Sequence, residues 1–317
     1  MPHRILVVGS FVQDLNFATR RFPEPGETVV GTFLTGPGGK GSNQAVAARR
    51  AGGEVTFVGA VGDDPFGREV RRFYEAEGIS FHLKEVKDRA TGTAAILRDA
   101  SAQNEIVVAL GANDALLPED VPESLWAKHG LLVCQCEIHR PTTRALLRRG
   151  AERGLTTILN PAPMPDDFSL EVLKQVDLLI PNETEFCSLL RQAGLDAPQA
   201  SQLAASGEDR LVEWCRELGL ERAILTLGAA GLFVMDGSRT RRLPVVPGIK
   251  AVDTTGAGDA FVGAFAAAFA ANGEDLFAAA AFANAAAALS VTRPGTAPAT
   301  PRREEIEALL ARADTPR

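Results

Sequence analysis

The sequence predicts an α/β fold with a mostly parallel central sheet flanked by helices and a small second β-sheet. Three features of the chain predict it. Short apolar runs alternate with segments of helical spacing over most of its length, as a parallel sheet with crossover helices requires. Most of those runs are continuously apolar, the pattern of strands buried on both faces. Two β-prone passages break the alternation, and their four short strands supply a small sheet beside the main one.

In order, the strand-like runs are Ile5 to Val8, Val55 to Val58, Leu131 to Cys134, Thr157 to Leu159, Leu178 to Ile180 and Ile224 to Leu227. The helical patterns between them span Asn43 to Ala51, Phe66 to Glu77, Thr142 to Arg153, Glu183 to Leu190 and Leu211 to Leu218. The first interruption holds Leu15 to Thr19 and Thr28 to Leu34, separated by Pro23-Glu24-Pro25-Gly26. The second holds Thr93 to Leu97 and Ile106 to Leu110 around Ser101-Ala102-Gln103-Asn104, which reads as a hairpin. An Ala-rich stretch from Ala260 to Val291 is broken at Asn272-Gly273-Glu274-Asp275. Each piece falls short of the ~20 apolar residues of a membrane span, so two buried helices are expected. The chain after Ala311 reads as a frayed tail.

At 317 residues and 45% hydrophobic content the chain can bury a full core, and residues 1–317 read as a single domain with the strands of the small sheet inserted at about 11–36 and 92–110. A net charge of −7 points away from nucleic acid and anionic membranes, toward a small-molecule partner. Cysteines at 134, 136, 187 and 215 form no C-x-x-C pair, and histidines at 3, 82, 129 and 139 form no ligand cluster. Reduced thiols in a cytoplasmic protein are the expectation. Met1-Pro2-His3-Arg4 leads straight into Ile5-Leu6-Val7-Val8, a run too short for a signal peptide.

The chemistry is expected in Ala251 to Phe265, AVDTTGAGDAFVGAF. Gly256-Ala257-Gly258 opens a helix and leaves backbone N–H groups uncovered at the positive end of its dipole, where an anion can approach. Asp259, just inside, is either a first-turn acid that stabilises the helix or a base beside a phosphate pocket. The paired glycines favour the base, because Ser or Asp would fill a purely capping role better.

A second glycine cluster, Gly36-Pro37-Gly38-Gly39-Lys40-Gly41-Ser42-Asn43-Gln44-Ala45, formally satisfies G-x-G-x-x-G. The dinucleotide reading ranks low, because that fingerprint should follow the first buried strand directly. Gly41 between Lys40 and Ser42 breaks a phosphate-binding P-loop as well. A glycine turn capping a helix at Ser42 explains the glycines but not Lys40 and Asn43 together. Asp14 and Glu137 follow apolar strands, at the carboxyl ends where open α/β sheets bind ligands; a turn acid and a solvated loop acid are the structural alternatives. Pro181-Asn182-Glu183-Thr184-Glu185 opens a helix, with Asn182 as N-cap and Glu185 at N3 of a variant capping box. Thr226-Leu227-Gly228 and Gly231 form a tight turn after another strand.

Taken together, Gly256 to Asp259 and Gly39 to Ala45 resemble the two signatures of the ribokinase family, also called the PfkB carbohydrate kinases, and the resemblance runs from Gly9 to about Gly295. It implies that the N–H groups of Gly256, Ala257 and Gly258 form an anion hole for the transferring phosphoryl group, and that Asp259 accepts the proton of the sugar hydroxyl. By the same resemblance Asp14, Gly39, Lys40, Asn43 and Glu137 contact the sugar, and Lys40 also steadies phosphate charge. Asn182, Thr226, Gly228 and Gly231 fall on the nucleotide side, and Glu185 organises Mg²⁺ through water. Asn284 borders the adenine or, with equal weight, packs as a polar group of its helix. Asp253, Thr255, Ser290, Arg293 and Gly295 align with positions whose mainly backbone oxygens hold potassium. The resemblance makes the small sheet a small β-sheet lid, a cover over the sugar that excludes water, and a homodimer contact.

Two residues depart from the pattern. Val12 stands where ribokinases usually carry Asn, and Ala299 where the cation site uses a Ser hydroxyl. The expected activity is ATP-dependent phosphorylation of a sugar, with the 5-hydroxyl of ribose leading. Kinases of 2-deoxyribose, fructose-type sugars or nucleosides are the alternatives. A sugar- or nucleotide-sensing protein without turnover is the reading from another class, and the intact Asp259 argues against it.

Overall fold

The computed structural model describes residues 3–101, 103–273 and 275–313. Met1 and Pro2 of the expected N-terminal lead, Ala102 of the hairpin turn, Glu274 of the helix break and residues 314–317 of the tail lie outside the described residues.

The strands, in chain order, are β1 (Ile5–Val8), β2 (Val12–Ala18), β3 (Thr32–Gly38), β4 (Val55–Gly62), β5 (Ser80–Val86), β6 (Gly92–Arg98), β7 (Asn104–Ala109), β8 (Leu131–Cys134), β9 (Thr156–Leu159), β10 (Leu178–Leu179), β11 (Arg222–Thr226), β12 (Leu232–Asp236) and β13 (Arg239–Leu243). Nine of them form one sheet in the order β13-β12-β11-β10-β9-β8-β1-β4-β5. Pairing is parallel from β5 across to β11, and antiparallel only at the β11–β12 and β12–β13 edge.

β1 shows why the apolar runs carry no polar alternation. Side chains on a strand point to opposite faces in turn. Ile5 and Val7 join the core layer of Ala45, Phe261 and Phe265, whereas Leu6 and Val8 join that of Leu146, Leu147 and Phe186. Both faces are therefore covered, and both demand apolar residues.

The eight longer helices are α1 (Lys40–Arg50), α2 (Pro65–Glu77), α3 (Arg140–Glu152), α4 (Glu183–Gln192), α5 (Glu208–Glu217), α6 (Ala257–Ala271), α7 (Leu276–Ser290) and α8 (Arg303–Ala313). The Ala-rich stretch forms the two helices α6 and α7, with Asp275 capping the second through bonds from Phe277 N and Ala278 N. No described helix is long and apolar enough to cross a membrane.

The lid is a separate four-stranded sheet in the order β3-β2-β6-β7. β2 and β6 run parallel, and β3 and β7 flank them antiparallel. The structure corrects the sequence in three places. β3 runs over Thr32–Gly38 instead of Thr28 to Leu34, so Gly36-Pro37-Gly38 is strand and lies opposite Asp14 and Val12. A Cβ at Gly38 would sit 2.4 Å from the Asp14 carboxylate, which explains a glycine there. α1 consequently starts at Lys40 with Gly39 as its N-cap, and Ser42 is an interior residue whose hydroxyl caps nothing. Finally, β5, β12 and β13 were not expected. β5 and β13 are half-polar edge strands without a continuous apolar run, and β12 follows β11 after only a short turn, with no helix to separate the two.

Candidate active site

Asp259 lies in the first turn of α6, which opens at Gly256 in the left-handed region, φ 77°. That conformation favours glycine. At Gly258 a Cβ would meet nothing within 4 Å, so the backbone there faces open space. The Asp259 carboxylate is buried and held on both oxygens: Oδ2 accepts from Asn43 Nδ2 and Oδ1 from Gln44 Nε2, each at 3.0 Å. Of the three amides expected to form an anion hole, Ala257 N donates to Thr254 O at 3.2 Å, which leaves those of Gly256 and Gly258 to face an anion beside the fixed carboxylate, so that an anion and a proton can be received side by side.

Other acids converge on this point from the carboxyl ends of β1 and β8. Asp14 on β2 has its carboxyl pushed up to about 7 by burial first, and then by Glu137 and Asp259. Glu137 is buried, not solvated; its Oε2 accepts from Ser10 Oγ at 2.6 Å and from Lys40 N at 2.9 Å. It therefore ties the start of α1 to the loop after β1. Burial alone would push the Lys40 ammonium down, but Asp259, Glu137, Glu185 and Cys136 around it lift it above its ordinary value. The Lys40 ammonium therefore offsets part of the negative charge that these carboxylates gather at the site.

Val12 is buried and shares the lid face of Asp14, two residues along the strand. Gln13 points to the opposite face, where its Nε2 donates to Thr35 Oγ1 at 2.6 Å. A crevice of about 470 Å³ separates the lid from the loops at 251–255 and 294–298, and Asp14, Arg98 and Thr255 line it.

On the other side, Asn182 and Glu185 form a reciprocal capping box: Glu185 N donates to Asn182 Oδ1 and Asn182 N to Glu185 Oε2, both at 2.9 Å. Asn182 Nδ2 also donates to Glu185 Oε1 at 3.0 Å. Burial raises the Glu185 carboxyl above its ordinary value. Thr226 bridges to Asn182, and a turn at Gly228–Ala230 followed by Gly231 leads into β12. Asn284 donates to Pro244 O at 2.8 Å, so its amide fastens α7 to the segment after β13.

Of the five residues aligned with a cation site, hydrogen bonds join Asp253, Thr255 and Gly295. Asp253 accepts from Thr255 N at 2.9 Å and from Gly295 N at 3.0 Å, and Arg98 of the lid approaches it to 3.9 Å. Two side chains of this set are engaged elsewhere: Ser290 Oγ donates to Ala287 O at 2.8 Å, and Arg293 pairs with Glu305. The Arg293 side chain has no oxygen to offer, so that position can face a cation only through its backbone carbonyl, whereas Ser290 Oγ keeps its acceptor lone pairs and Ser290 O already accepts from Arg293 N at 3.3 Å. Ala299 is buried in a short turn with no hydroxyl to add. Among the described residues no group of three or more His, Cys, Asp or Glu could hold a metal directly.

A family model for pfkB family carbohydrate kinases matches residues 2–303. The chain belongs to this family. It is 37% identical over 311 residues to the ribokinase of Bacillus subtilis, covering 97% of this chain and 99% of that protein. It is 34% identical over 311 residues to a deoxyribokinase of Salmonella typhimurium, covering 97% and 98%. The structure of Arabidopsis thaliana ribokinase complexed with ribose and ATP superposes with a TM-score of 0.85 at 30% identity, covering 98% of this chain and 99% of that one. As a carbohydrate kinase the chain has a site richer than its signatures. Gln44, Gln135, Asn160 and Ser10 all bond into it, and sequence reading passed over them. The available signal was position: Gln44 directly follows Asn43 and precedes the apolar Ala45-Val46-Ala47-Ala48 of the helix, and the other three sit just beyond strand ends.

Proposed function

We propose that this carbohydrate kinase is an ATP-dependent ribokinase acting on the 5-hydroxyl of D-ribose. The observation that carries the reading is Asp259, fixed on both oxygens by Asn43 and Gln44 beside the open backbone of Gly256 to Gly258. In the proposed step the sugar oxygen forms a bond to the γ-phosphorus of ATP and its proton passes to the Asp259 carboxylate. The bond to the bridging oxygen breaks and ADP leaves. The N–H groups at the start of α6 and the Lys40 ammonium face the charge on the transferring group. Asp14 accepts sugar hydroxyls, and Asn43 Oδ1, which is buried and has no partner among the described residues, is a further acceptor for one.

Glu185 fits a role toward Mg²⁺ through water. Each of its carboxylate oxygens accepts from Asn182 and keeps a second acceptor position. Bound Mg²⁺ would neutralise phosphate charge. For K⁺ the fit is to backbone oxygens of the Asp253, Thr255, Ser290, Arg293 and Gly295 loops, with Ala299 adding none. A homodimer through the lid is supported by one apolar lid face, on which Phe17 and Phe33 are paired and 41% and 52% exposed. Free thiols at Cys134, Cys136, Cys187 and Cys215 fit a cytoplasmic setting.

A second reading, a 2-deoxyribose kinase, is favoured by Val12 at the sugar-facing lid position and by the likeness to the Salmonella deoxyribokinase. The test is ATP consumption with Mg²⁺ and K⁺ against a panel of pentoses, hexoses and nucleosides, in wild type and Asp259→Asn. Loss of about 10² to 10⁴ in kcat is expected, with ATP binding and folding retained. A variant keeping more than about a tenth of wild-type kcat would contradict the base, and a wild type without sugar-dependent turnover would leave the sensing alternative standing.

A further inference from the structure

We propose that Gln44 is a positioning residue for the base, holding the plane of the Asp259 carboxylate through a buried relay of amides that runs back into the sheet. Gln44 is fully buried, and all of its amide is engaged. Gln135 Nε2, just beyond β8, donates to Gln44 Oε1 at 2.7 Å, so the NH₂ end of Gln44 must face the other way. Its two protons then go to Asp259 Oδ1 and Asn160 Oδ1, both at 3.0 Å. Asn160, just beyond β9, donates through Nδ2 to Ile180 O at 2.9 Å. That bond to a backbone carbonyl beyond β10 allows Asn160 one orientation, and the relay passes the constraint on to Gln44.

The consequence is chemical as well as geometric. With Gln44 on Oδ1 and Asn43 on Oδ2 the carboxylate cannot rotate about its bond, so the oxygen that takes the proton is held in one place. The other charged groups facing Asp259 are Asp14 from the lid, Lys40 from α1 and Glu185 from α4. None of them donates a hydrogen bond to Asp259 among the described residues, so the two amides alone set its orientation.

This inference rests on the kinase reading for its catalytic consequence, but its test does not depend on turnover alone. The variants are Gln44→Met, which removes the donor at similar volume, and Gln135→Met, which has no bond to Asp259 and removes one of the two contacts that orient the Gln44 amide, leaving Asn160 as the other. A hydrogen bond to a charged acceptor is worth about one to two factors of ten. With saturating sugar and ATP, kcat of Gln44→Met should fall by about that much. The sugar KM should stay within about threefold. Gln135→Met should lower kcat by less. Without substrates, the side-chain amide NMR signals of Asn43, which donates to the same carboxylate, should shift in the same order, including in a protein with no sugar-dependent turnover. If Gln44→Met does not fold, Gln135→Met decides. Unshifted Asn43 signals in the folded variants, or a loss of kcat accompanied by a matching rise in sugar KM, overturns the proposal.

Discussion

A Cβ built on Gly263 would lie 2.3 Å from the backbone carbonyl oxygen of Gln44 and 2.5 Å from the Cβ of Ala47. The absence of a side chain at Gly263 is therefore what lets α6 lie against α1 closely enough for Asn43 and Gln44 to reach Asp259, one turn away. Gly263→Ala should destabilise the protein by about 1 to 3 kcal/mol through overpacking, and kcat should fall with it as the two amides are pushed off the carboxylate. Gly258→Ala is the contrast, since its Cβ meets open space and alanine favours a helix. It should keep full thermal stability and lose kcat by crowding the anion hole. Denaturant titration and steady-state kinetics on the pair separate packing from chemistry. Equal stability for both variants would refute the close-crossing argument.

Burial, then Glu137 and Asp259, push the Asp14 carboxyl up to about 7, so sugar recognition should depend on pH in the neutral range. A raised carboxyl stays protonated below that value and is ionised above it. Ionised, it is the stronger acceptor for sugar hydroxyls. The sugar KM should therefore fall by about fivefold between pH 6 and pH 8, a gain on the order of 1 kcal/mol. In Asp14→Asn the KM should be higher and flat across that range. A wild-type KM independent of pH would argue that Asp14 does not contact the sugar.

Glu185→Gln separates capping from metal binding. Glutamine at N3 also serves a capping box, so stability should change by less than about 1 kcal/mol. The Mg²⁺ concentration for half-maximal rate should rise severalfold, more than the sugar KM changes. An unchanged Mg²⁺ requirement with lowered thermal stability would leave Glu185 a purely structural residue.

Val12 presents an isopropyl group on the Asp14 face of the lid, and Gln13 cannot replace the missing amide because it bonds Thr35 on the other face. Burying a sugar hydroxyl there without a partner costs roughly 1 to 3 kcal/mol, and a sugar lacking that hydroxyl avoids the penalty. Ribose and 2-deoxyribose should therefore differ by less than about tenfold in kcat/KM, and Val12→Asn should shift preference toward ribose. A hundredfold preference for ribose in wild type, unchanged in the variant, would remove Val12 from the substrate argument.

The sequence by itself determined the layered α/β architecture, because strands covered on both faces must be apolar throughout, as β1 is at Ile5 to Val8. It also determined where α6 begins, since Gly256 and Asp259 are local signals that need no distant partner. The two Ala-rich helices were legible for the same reason. What only the tertiary structure decided is the set of contacts between residues far apart in the chain. Edge strands such as β5 and β13 depend on a neighbour for their pairing and carry a mixed composition that no local pattern marks. Gln44 meets Asp259 across 215 residues, and Gln135 meets Gln44 across 91. An amide in a helix is locally no more than a polar residue among alanines. It becomes part of the site when α1 and α6 cross at Gly263 and the strand ends of Gln135 and Asn160 close around it, because buried polar groups must find partners and only the folded sheet puts those partners within reach.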